Sequence, residues 1–515
     1  MTASPHHPQH QTLLSDRPVE PLTGHVDVLI VGAGISGIGL GHYLVTRLPG
    51  KTFAIVDSRD AIGGTWDLFR YPGIRSDSDL QTFGYEFKPW TSDNAIADAD
   101  EILAYLHEAI DENGLARHIH LHHRVLRADY SSQSARWTVT LERDGRSWDV
   151  TCDFFFAATG YYDYKEGYTP HFEGREDFEG VIVHPQQWPE DLDYAGKRIV
   201  VIGSGATAVT LIPAMAEQAG HITMLQRSPS YVMPLPRKDP IANGLRRLLP
   251  KKAAHAAARR FNIGKQRFIY KLCQRHPQFA RRLIRSINVK ALPEGYDVDT
   301  HFNPAYNPWD QRMCAVPDAD LFRAISRGKA SVVTDRIVRF TKTGILLESG
   351  RELTADIIVT ATGLRLLAFG GIALNVDGTP VDLPSRLAYK GLMLSGVPNF
   401  AFAIGYTNSS WTLKVDLVCE HLCRLLAYMD QHGFTSVVPV ADDPAIERRP
   451  LLDFTAGYVL RSMDTFPRQG SSGPWTIAMD YWTDYDRLRK GPVEDAALRF
   501  GTADRVPART GAAAR

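Results

Sequence analysis

A glycine turn between two apolar runs constrains the fold of this chain more than any other feature. Residues 25–31 form a short run rich in β-branched side chains, which predicts a buried strand. A helical pattern follows the turn, and a second apolar run at 52–56 ends at Asp57. The glycines of the turn have the spacing GxGxxG and are Gly32, Gly34 and Gly37.

The order strand, glycine turn, helix, strand and acid predicts a dinucleotide-binding unit. Gly32 permits the tight turn, Gly34 lets a pyrophosphate approach the backbone, and Gly37 lets the helix pack on the strand. The helix N-terminus offers free N–H groups to phosphate oxygens. Asp57 lies where an acid accepts hydrogen bonds from ribose hydroxyls. A glycine turn alone would be weak evidence, but the strand, helix and acid supply its context.

Composition excludes several other classes of protein. The 515 residues have a formal net charge of +0, so no overall field favours nucleic acid. The five cysteines are few and scattered, and we expect a reduced, cytoplasmic protein. No apolar run approaches the roughly 18 residues that span a bilayer. Residues 1–22 lack the apolar core of a signal peptide and predict a disordered tail; its histidines could bind a metal, but we favour a solvated tail and predict no metal site.

The stretch 63–79 is rich in Gly, Pro and polar residues and predicts a structured loop rather than a helix. Three aromatic residues and two arginines lie within it, which suits a planar ring system with negative charge. The loop contains no cysteine. The redox-active CxxxxC pair of disulfide reductases is therefore absent, and that class is excluded.

The same stretch resembles a known family. The pattern GxWx4YPGx3D at 64–77 is similar to that of class B flavoprotein monooxygenases of the Baeyer–Villiger type. The amino-acid sequence of residues 70–79, together with 84–85 and 89–90, most resembles that of the subgroup that contains the ethionamide-activating monooxygenase. The resemblance implies that the first unit binds FAD.

A second dinucleotide-binding unit is predicted downstream. Buried strands ending in Ala-Thr-Gly recur at 153–160 and 356–363, and the strand 197–202 precedes a second glycine loop in which alanine replaces the third glycine. The following strand ends in Arg227 and Ser228, where the first unit has an acid. A guanidinium and a hydroxyl suit a 2′-phosphate, so this unit predicts NADPH, although a solvated arginine would give the same pattern.

The predicted cofactor-binding residues fall into two groups. For the first unit they are Gly32, Gly34, Ser36, Gly37, Asp57, Gly64, Thr65, Trp66, Asp67, Leu68, Arg75, Ser76, Asp77 and Val125, the last by resemblance to flavoproteins whose adenine lies there. For the second unit they are Gly203, Ser204, Gly205, Ala206, Thr207, Ala208, Val209, Arg227 and Ser228.

Two further segments carry the resemblance. Residues 178–189 match the signature FxGxxxHxxxW(P/D) of Baeyer–Villiger and flavin-containing monooxygenases at every position, and the resemblance makes His184 part of a linker between domains rather than an acid or base. Residues 301–314 resemble the stretch that bears the catalytic arginine, which places Arg312 in that role, with Asp77 orienting it. Gln311 departs from the lysine that many relatives carry, so recognition of the 2′-phosphate would depend on Arg227.

Residues 237–290 differ in composition from the rest. They are strongly basic, with apolar residues at helical spacing. We favour a helical insert that covers the active site, and peripheral contact with an anionic membrane remains an alternative. RNA binding lacks a supporting motif.

The sequence therefore predicts an α/β protein with two Rossmann-like domains, for FAD and NADP, and a helical insert. The predicted ranges are a tail at 1–22, the FAD domain at 23–163 and 386–500, the NADP domain at 164–236 and 301–385, the insert at 237–300 and a second tail at 501–515. A helix from Trp411 to about Met429, capped by the polar run 407–410, is expected to point at the flavin.

The resemblance implies an FAD- and NADPH-dependent monooxygenase that inserts one oxygen atom of O2 through a C4a-peroxyflavin. The expected substrates are small hydrophobic ketones, oxidised to esters or lactones, and sulfides or thioamides. Two alternatives remain open at this stage. One is an N- or S-hydroxylating flavin monooxygenase without Baeyer–Villiger activity, and the other is a degenerate flavoprotein that acts as a binding module.

Overall fold

The computed structural model describes residues 21–311, 313–452 and 456–503. Its strands are β1 (His25–Val31), β2 (Phe53–Val56), β3 (Ile119–His120), β4 (Arg124–Ser131), β5 (Arg136–Arg143), β6 (Arg146–Ala157), β7 (Tyr162–Gly167), β8 (Val181–Val183), β9 (Arg198–Ile202), β10 (His221–Gln226), β11 (Val232–Leu235), β12 (Cys314–Pro317), β13 (Ala330–Thr334), β14 (Ile337–Thr341), β15 (Gly344–Leu347), β16 (Glu352–Thr354), β17 (Ile357–Thr360), β18 (Leu364–Leu366), β19 (Ala373–Val376), β20 (Thr379–Pro380), β21 (Ala388–Tyr389), β22 (Met393–Leu394), β23 (Phe400–Phe402), β24 (Ser436–Pro439), β25 (Arg448–Pro450), β26 (Arg468–Gly470) and β27 (Leu498–Gly501).

The α-helices are α1 (Ile35–Arg47), α2 (Thr65–Leu68), α3 (Leu80–Phe83), α4 (Ala99–Glu112), α5 (Ala206–Ala216), α6 (Pro240–Leu248), α7 (Lys251–Arg275), α8 (Pro277–Ala291), α9 (Val298–Phe302), α10 (Asp320–Ser326), α11 (Trp411–His432), α12 (Gly457–Leu460) and α13 (Tyr481–Asp484). Short 3₁₀ turns occupy Leu115–His118, Arg175–Asp177, Pro185–Gln187, Ala368–Gly371, Leu383–Ser385, Met463–Thr465 and Gly473–Trp475, and a π-helical turn occupies Tyr485–Lys490.

Two sheets organise the chain, and each is built around parallel strands, as the two glycine turns predict. In the first sheet β1 lies between β2 and β6, with all three parallel, and an antiparallel meander of β4, β5 and β6 extends it. The second sheet has the order β13-β10-β9-β17-β8, with every pair parallel. Each sheet therefore contains one strand–helix–strand unit, β1-α1-β2 and β9-α5-β10. The predicted fold class is confirmed.

Alternation along the central strands divides the core between the two faces of each sheet. Val28 and Ile30 of β1 enter one apolar cluster with α1, α4 and α11, while Leu29 and Val31 enter another with the β4–β6 meander. The second sheet behaves in the same way, because β9 sends alternate residues into two separate clusters. Strands buried on both faces read as continuous apolar runs, which is why the sequence identified them.

The chain returns to the first sheet earlier than predicted. We expected the second part of the FAD domain to begin at residue 386, but β19 already pairs with β4 in parallel, and β20 pairs with β19. Residues 373–380 thus belong to the first sheet rather than to the predicted NADP range 301–385. No local sequence signal marks this switch, because the pairing partner lies some 250 residues away in the chain.

Other boundaries also differ. Residues 1–20 and 504–515 of the predicted tails lie outside the described residues, but Leu22 is buried and donates its backbone N–H to His123. The loop 63–79 contains one helical turn, α2, so the expectation of no helix there was wrong. Within the described ranges, no helix is long and apolar enough to cross a membrane.

Candidate active site

The first glycine turn joins β1 to α1 and leaves the end of the helix accessible to a ligand. Gly34 is the N-cap in extended backbone and has no side chain to cap the first turn. Gly32 has φ +114°, and a Cβ there would lie 2.5 Å from the carbonyl oxygen of Ala158. A Cβ on Gly37 would lie 1.9 Å from the Gly32 carbonyl oxygen. Packing therefore requires glycine at both places, and the first-turn N–H groups of α1 suit a pyrophosphate.

Asp57 is fixed beside this turn by two backbone donors. Its Oδ2 accepts the N–H of Ala33 at 2.8 Å, and its Oδ1 accepts the N–H of Arg59 at 3.0 Å. Burial raises the pKa of Asp57, while these two hydrogen bonds oppose the rise. The carboxylate is thus next to the glycine turn, as a ribose-binding acid must be. These residues fit the dinucleotide portion of FAD.

Ion pairs hold the segment 59–70, which follows Asp57, in place. Asp67 is buried and bonds the guanidinium groups of Arg59 and of Arg70, the latter at 2.7 Å. Its carboxylate therefore fixes the loop, and the predicted contact of Asp67 with cofactor stays a prediction. The Thr65 hydroxyl lies 3.3 Å from the hydroxyl of Tyr164. Of the other predicted residues here, Trp66 and Leu68 are half-buried and Gly64 has φ +56°.

Residues 69–75 of the first unit pack directly on the second unit. Tyr71 is buried in the apolar cluster of the second unit, where its hydroxyl interacts with Thr207 at the start of α5. A Cβ on Gly73, which has φ +77°, would lie 2.6 Å from the Cβ of Ala214 in α5. Arg75 forms an ion pair with Asp320 of α10, and its buried Nη2 has no hydrogen-bond partner in the described chain. This segment therefore joins the first unit to α5 and α10 of the second and leaves a buried cationic donor between them.

The second glycine turn has the same construction. Gly203 has φ +134°, and a Cβ there would lie 2.3 Å from the Ala361 carbonyl oxygen at the end of β17. Gly205 is the N-cap of α5, and no atom of the described residues lies within 4 Å of the place where its Cβ would be. The Ser204 hydroxyl bonds that of Ser230 at 2.8 Å. The turn is therefore open to a pyrophosphate.

The remaining predicted residues of this unit lie around the turn. Arg227 and Ser228 follow β10 and are exposed. The first turn of α5 supplies the other four, which are Ala206, Thr207, Ala208 and Val209. An exposed guanidinium where the first unit has Asp57 suits a 2′-phosphate, so these residues fit NADP rather than NAD.

His184 contacts the backbone of the linker and of the turn that ends at Gly363. Its Nδ1 accepts the N–H of Gln186 at 3.2 Å, and its Nε2 lies 3.3 Å from the Gly363 carbonyl oxygen. A Cβ on Gly167 would collide with the imidazole, so the linker strand β7 packs tightly on the ring. Burial lowers the pKa of His184. The neutral ring lies between β7 and the backbone at Gly363, and its role in a linker between the domains stays a prediction.

Helix α11 begins beside the first glycine turn. It runs to His432, three residues beyond the predicted end, and Gly433 terminates it with φ +67°. The predicted side-chain cap is wrong, because the Ser410 hydroxyl bonds that of Thr82 at 2.7 Å instead. The Trp411 Nε1 donates to the Ser36 hydroxyl at 2.9 Å, which ties the two helix N-termini together. A helix N-terminus here favours negative charge on a neighbouring ligand.

A cavity of about 330 Å³ adjoins the segment that precedes α11. Thr407 and Asn408 line one side, and Tyr270 of α7 lines another. Tyr270 packs edge-on against Trp309, with ring centroids 5.8 Å apart. The cavity is lined by Tyr270, Trp309, Thr407, Asn408, Arg449, Pro450, Gln469, Ile477 and Met479. Its size is typical of pockets for small ligands.

The basic segment docks on the start of α11 through buried polar contacts. Arg259 of α7 donates to Asp416 Oδ2 at 2.8 Å and to the Gly84 carbonyl at 2.7 Å. Gln266 bonds Asp79 at 2.8 Å and accepts from the Ser409 hydroxyl at 2.6 Å. The segment thus packs on the start of α11, and that it covers the active site stays a prediction.

The structure bears only partly on the predicted catalytic pair. Arg312 lies outside the described residues, so its role stays a prediction. Asp77 is exposed at the end of the segment that packs on the second unit, and its negative charge helps raise the pKa of buried Tyr71, whose burial is the main cause. Ser76 is buried and its hydroxyl accepts the N–H of Ala97 at 3.2 Å, whereas Val125 is buried in β4.

Sequence reasoning missed three aromatic residues of the site. Tyr164 contacts the turn at Thr65, Trp411 contacts Ser36, and Tyr270 lines the cavity. The contact with Tyr164 spans 99 residues and that with Trp411 spans 375, so spacing could not reveal them. Of the three, only Trp411 could have been found from the sequence, because it is the first residue of α11 after the polar run 407–410.

Comparison with known proteins identifies the family. Residues 85–243 match a family model described as flavin-binding monooxygenase-like, and residues 30–92 match that of an NAD(P)-binding Rossmann-like domain. The FAD-containing monooxygenase EthA of Mycobacterium tuberculosis is 55% identical over 480 residues, which cover 93% of this chain and 98% of that protein. The chain belongs to the FAD-containing monooxygenases. The family that the sequence motifs predicted is confirmed.

Other relatives of this monooxygenase agree. The probable FAD-binding monooxygenase AlmA of Acinetobacter baylyi is 47% identical over 92% of this chain and 96% of that protein. Among solved structures, a steroid monooxygenase bound to NADP aligns over 93% of this chain and all of that one, with a TM-score of 0.75 and 23% identity. An open cyclohexanone monooxygenase aligns over the same shares with a TM-score of 0.72 and 21% identity. At these identities the structures support the fold of the monooxygenase alone.

Proposed function

We propose that this flavin monooxygenase uses FAD and NADPH to insert one oxygen atom of O2 into small hydrophobic ketones and to S-oxygenate sulfides or thioamides. Membership of the monooxygenase family is established by its relatives. The two oxygen-transfer activities are the part that we propose.

Each cofactor has a set of residues that suits it. FAD would be held by the N–H groups at the start of α1, with the ribose on Asp57. NADPH would be held by the start of α5, with its 2′-phosphate on Arg227 and Ser228. When bound, FAD reduced by NADPH supplies the activation of O2.

The observation that carries the proposal is the packing of residues 69–75 on α5. Because Tyr71 is buried against the second unit and Gly73 packs on Ala214, the loop that follows the first unit's nucleotide-binding elements and helix α5 of the second unit share one interface. A reaction in which NADPH reduces a flavin requires the two rings to approach each other. The same segment carries the motif that distinguishes the Baeyer–Villiger type.

The chain's own residues would then act by charge and by exclusion of water. Arg312 would place a positive charge next to the developing negative charge of the reaction, and Asp77 would orient that guanidinium. The N-terminus of α11 would favour negative charge on the reduced ring. The 330 Å³ cavity has a mixed lining, in which Tyr270, Ile477 and Met479 would contact the apolar part of a substrate and polar side chains would contact the rest.

Product formation with a panel of ketones and sulfides tests the proposal. Purified holoenzyme is given NADPH and O2, and esters, lactones and sulfoxides are measured beside NADPH consumption. We expect both classes of product, with NADPH consumed roughly in step with them. Sulfoxides without any ester or lactone would favour an N- or S-hydroxylating enzyme, and NADPH consumption that yields only hydrogen peroxide would contradict oxygen transfer.

Arg312→Ala tests the assignment of the catalytic arginine. Ester and lactone formation should fall on the order of a thousandfold, as for loss of one charge-stabilising donor, while S-oxygenation should fall less. Arg336→Ala is a matched control because Arg336 is exposed in the same predicted domain. Equal loss of both activities would contradict a specific role in ketone oxidation.

A further inference from the structure

The exposed apolar side chains of this protein are concentrated in one segment. Thirteen large apolar side chains are exposed in the part of the chain that the structure describes, and ten of them lie between residues 235 and 289. The most exposed of these ten are Leu248 (82%), Phe268 (67%) and Phe279 (56%). Single exposed apolar residues are ordinary, but such a concentration in α6, α7 and α8 marks an interaction surface.

Helical spacing places several of these side chains on common faces. Phe261 and Phe268 are seven residues apart and share one face of α7. Phe279 and Leu283 are four apart and share one face of α8. Leu248 lies at the end of α6, which packs on α7, as does α8. The three helices therefore form one unit with repeated apolar faces outward.

The same segment has an extreme charge. Residues 237–290 contain sixteen Lys and Arg and a single acid, Asp239, which is buried and caps α6. Five of the basic side chains pair with carboxylates elsewhere in the described chain. Among the exposed ones that form no ion pair with any described residue are Arg247, Lys251, Lys252, Arg260, Arg275 and Lys290.

The opposite face of these helices is firmly attached to the protein. The buried side of α7 carries Arg259, which binds Asp416, and Asn262, which binds Asp239 at 2.8 Å. Arg267 bonds Asp480 at 2.6 Å. Because the inner face is anchored by polar contacts, the outward apolar residues are not the product of a loosely packed segment.

We propose that α6, α7 and α8 form a docking surface for anionic lipid bilayers. Phenylalanine and leucine would enter the headgroup boundary, and lysine and arginine stems would extend to lipid phosphates. A second copy of this chain fits less well, since two surfaces with so many unpaired cations would repel. Nucleic acid would satisfy the cations but leave the aliphatic side chains exposed. The helices would lie on the bilayer, because no described helix is able to span one. This proposal does not depend on the proposed function.

Vesicle flotation of the full-length holoenzyme tests the proposal. We expect binding to phosphatidylcholine vesicles that contain about one-third phosphatidylglycerol, little binding to phosphatidylcholine alone, and release at about 0.5 M salt. Replacing Leu248, Phe268 and Phe279 together by serine should reduce the bound fraction on the order of tenfold. These side chains are exposed, so the variant should fold and retain flavin.

Leu460→Ser is the matched control, because Leu460 is 59% exposed outside the basic segment. It should bind vesicles like the parent protein. Equal binding to neutral and anionic vesicles, or no binding to either, would overturn the proposal. So would a dimer in solution that the triple serine variant abolishes, or binding of nucleic acid in place of vesicles.

Discussion

Replacing Arg259 by methionine should destabilise the protein more than any other single change in its basic segment. Arg259 and Asp416 are both buried, with side chains 5% and 1% exposed, and their atoms lie 2.8 Å apart. The guanidinium also donates to the carbonyls of Gln81, Thr82 and Gly84. Methionine fills much of the volume but leaves the buried carboxylate without its cation.

The size and pH dependence of this loss follow from the environment of Asp416. Removal of one partner from a buried pair costs about 3–5 kcal/mol. Burial raises the pKa of Asp416 to about 6, and the charge of Arg259 opposes that rise. Without Arg259 the folded-state pKa of Asp416 should rise further, while the unfolded value is unchanged. Because stability falls as pH rises between the unfolded and folded pKa values, the deficit of the variant should grow from about pH 6 to about pH 8.

Thermal unfolding of the holoenzyme at these two pH values is the assay. At roughly 2 °C for each kcal/mol in units of this size, the midpoint should fall by about 6–10 °C at the higher pH and by less at the lower. Arg260→Met is the matched control, since Arg260 is the next residue of α7 and is exposed. A variant midpoint that equals that of Arg260→Met, or a deficit that is the same at both pH values, would refute the reasoning.

Three further predictions concern the cofactor turns and the cavity. Arg227→Ala should raise KM for NADPH about 10- to 100-fold through loss of a charge-assisted contact, with KM for NADH almost unchanged, and Arg198→Ala at the start of β9 should change neither. Gly37→Ala should yield protein that retains little flavin absorbance after purification, because its Cβ would lie 1.9 Å from a backbone oxygen, whereas Gly50→Ala meets no atom within 4 Å and should retain flavin. Tyr270→Ala should raise the ratio of kcat/KM for a bulky ketone to kcat/KM for a small one on the order of tenfold. An unchanged ratio would show that this wall of the cavity does not select substrate.

The parts of the fold that the sequence predicted are those in which function demands a local pattern. The turn at 32–37 needs glycines for packing and an open helix end, so its residues are contiguous and recognisable. The strands beside it are buried on both faces and appear as continuous apolar runs. The exchange of Asp57 for Arg227 is likewise local, because each follows the second strand of its unit.

The parts that the sequence could not predict depend on contacts between distant segments. The early return of the chain to the first sheet rests on β19 pairing with β4, which no local pattern encodes. The polar run before α11 suggested a side-chain cap, but the Ser410 hydroxyl bonds Thr82, a partner 328 residues away in the chain. Because Ser410 bonds Thr82 and does not cap α11, the backbone N–H groups at the start of the helix have no side-chain cap. A helix whose first-turn N–H groups are not satisfied by its own N-cap side chain keeps them for a ligand, and the beginning of α11 is therefore better suited to an anionic ring than the sequence pattern implied.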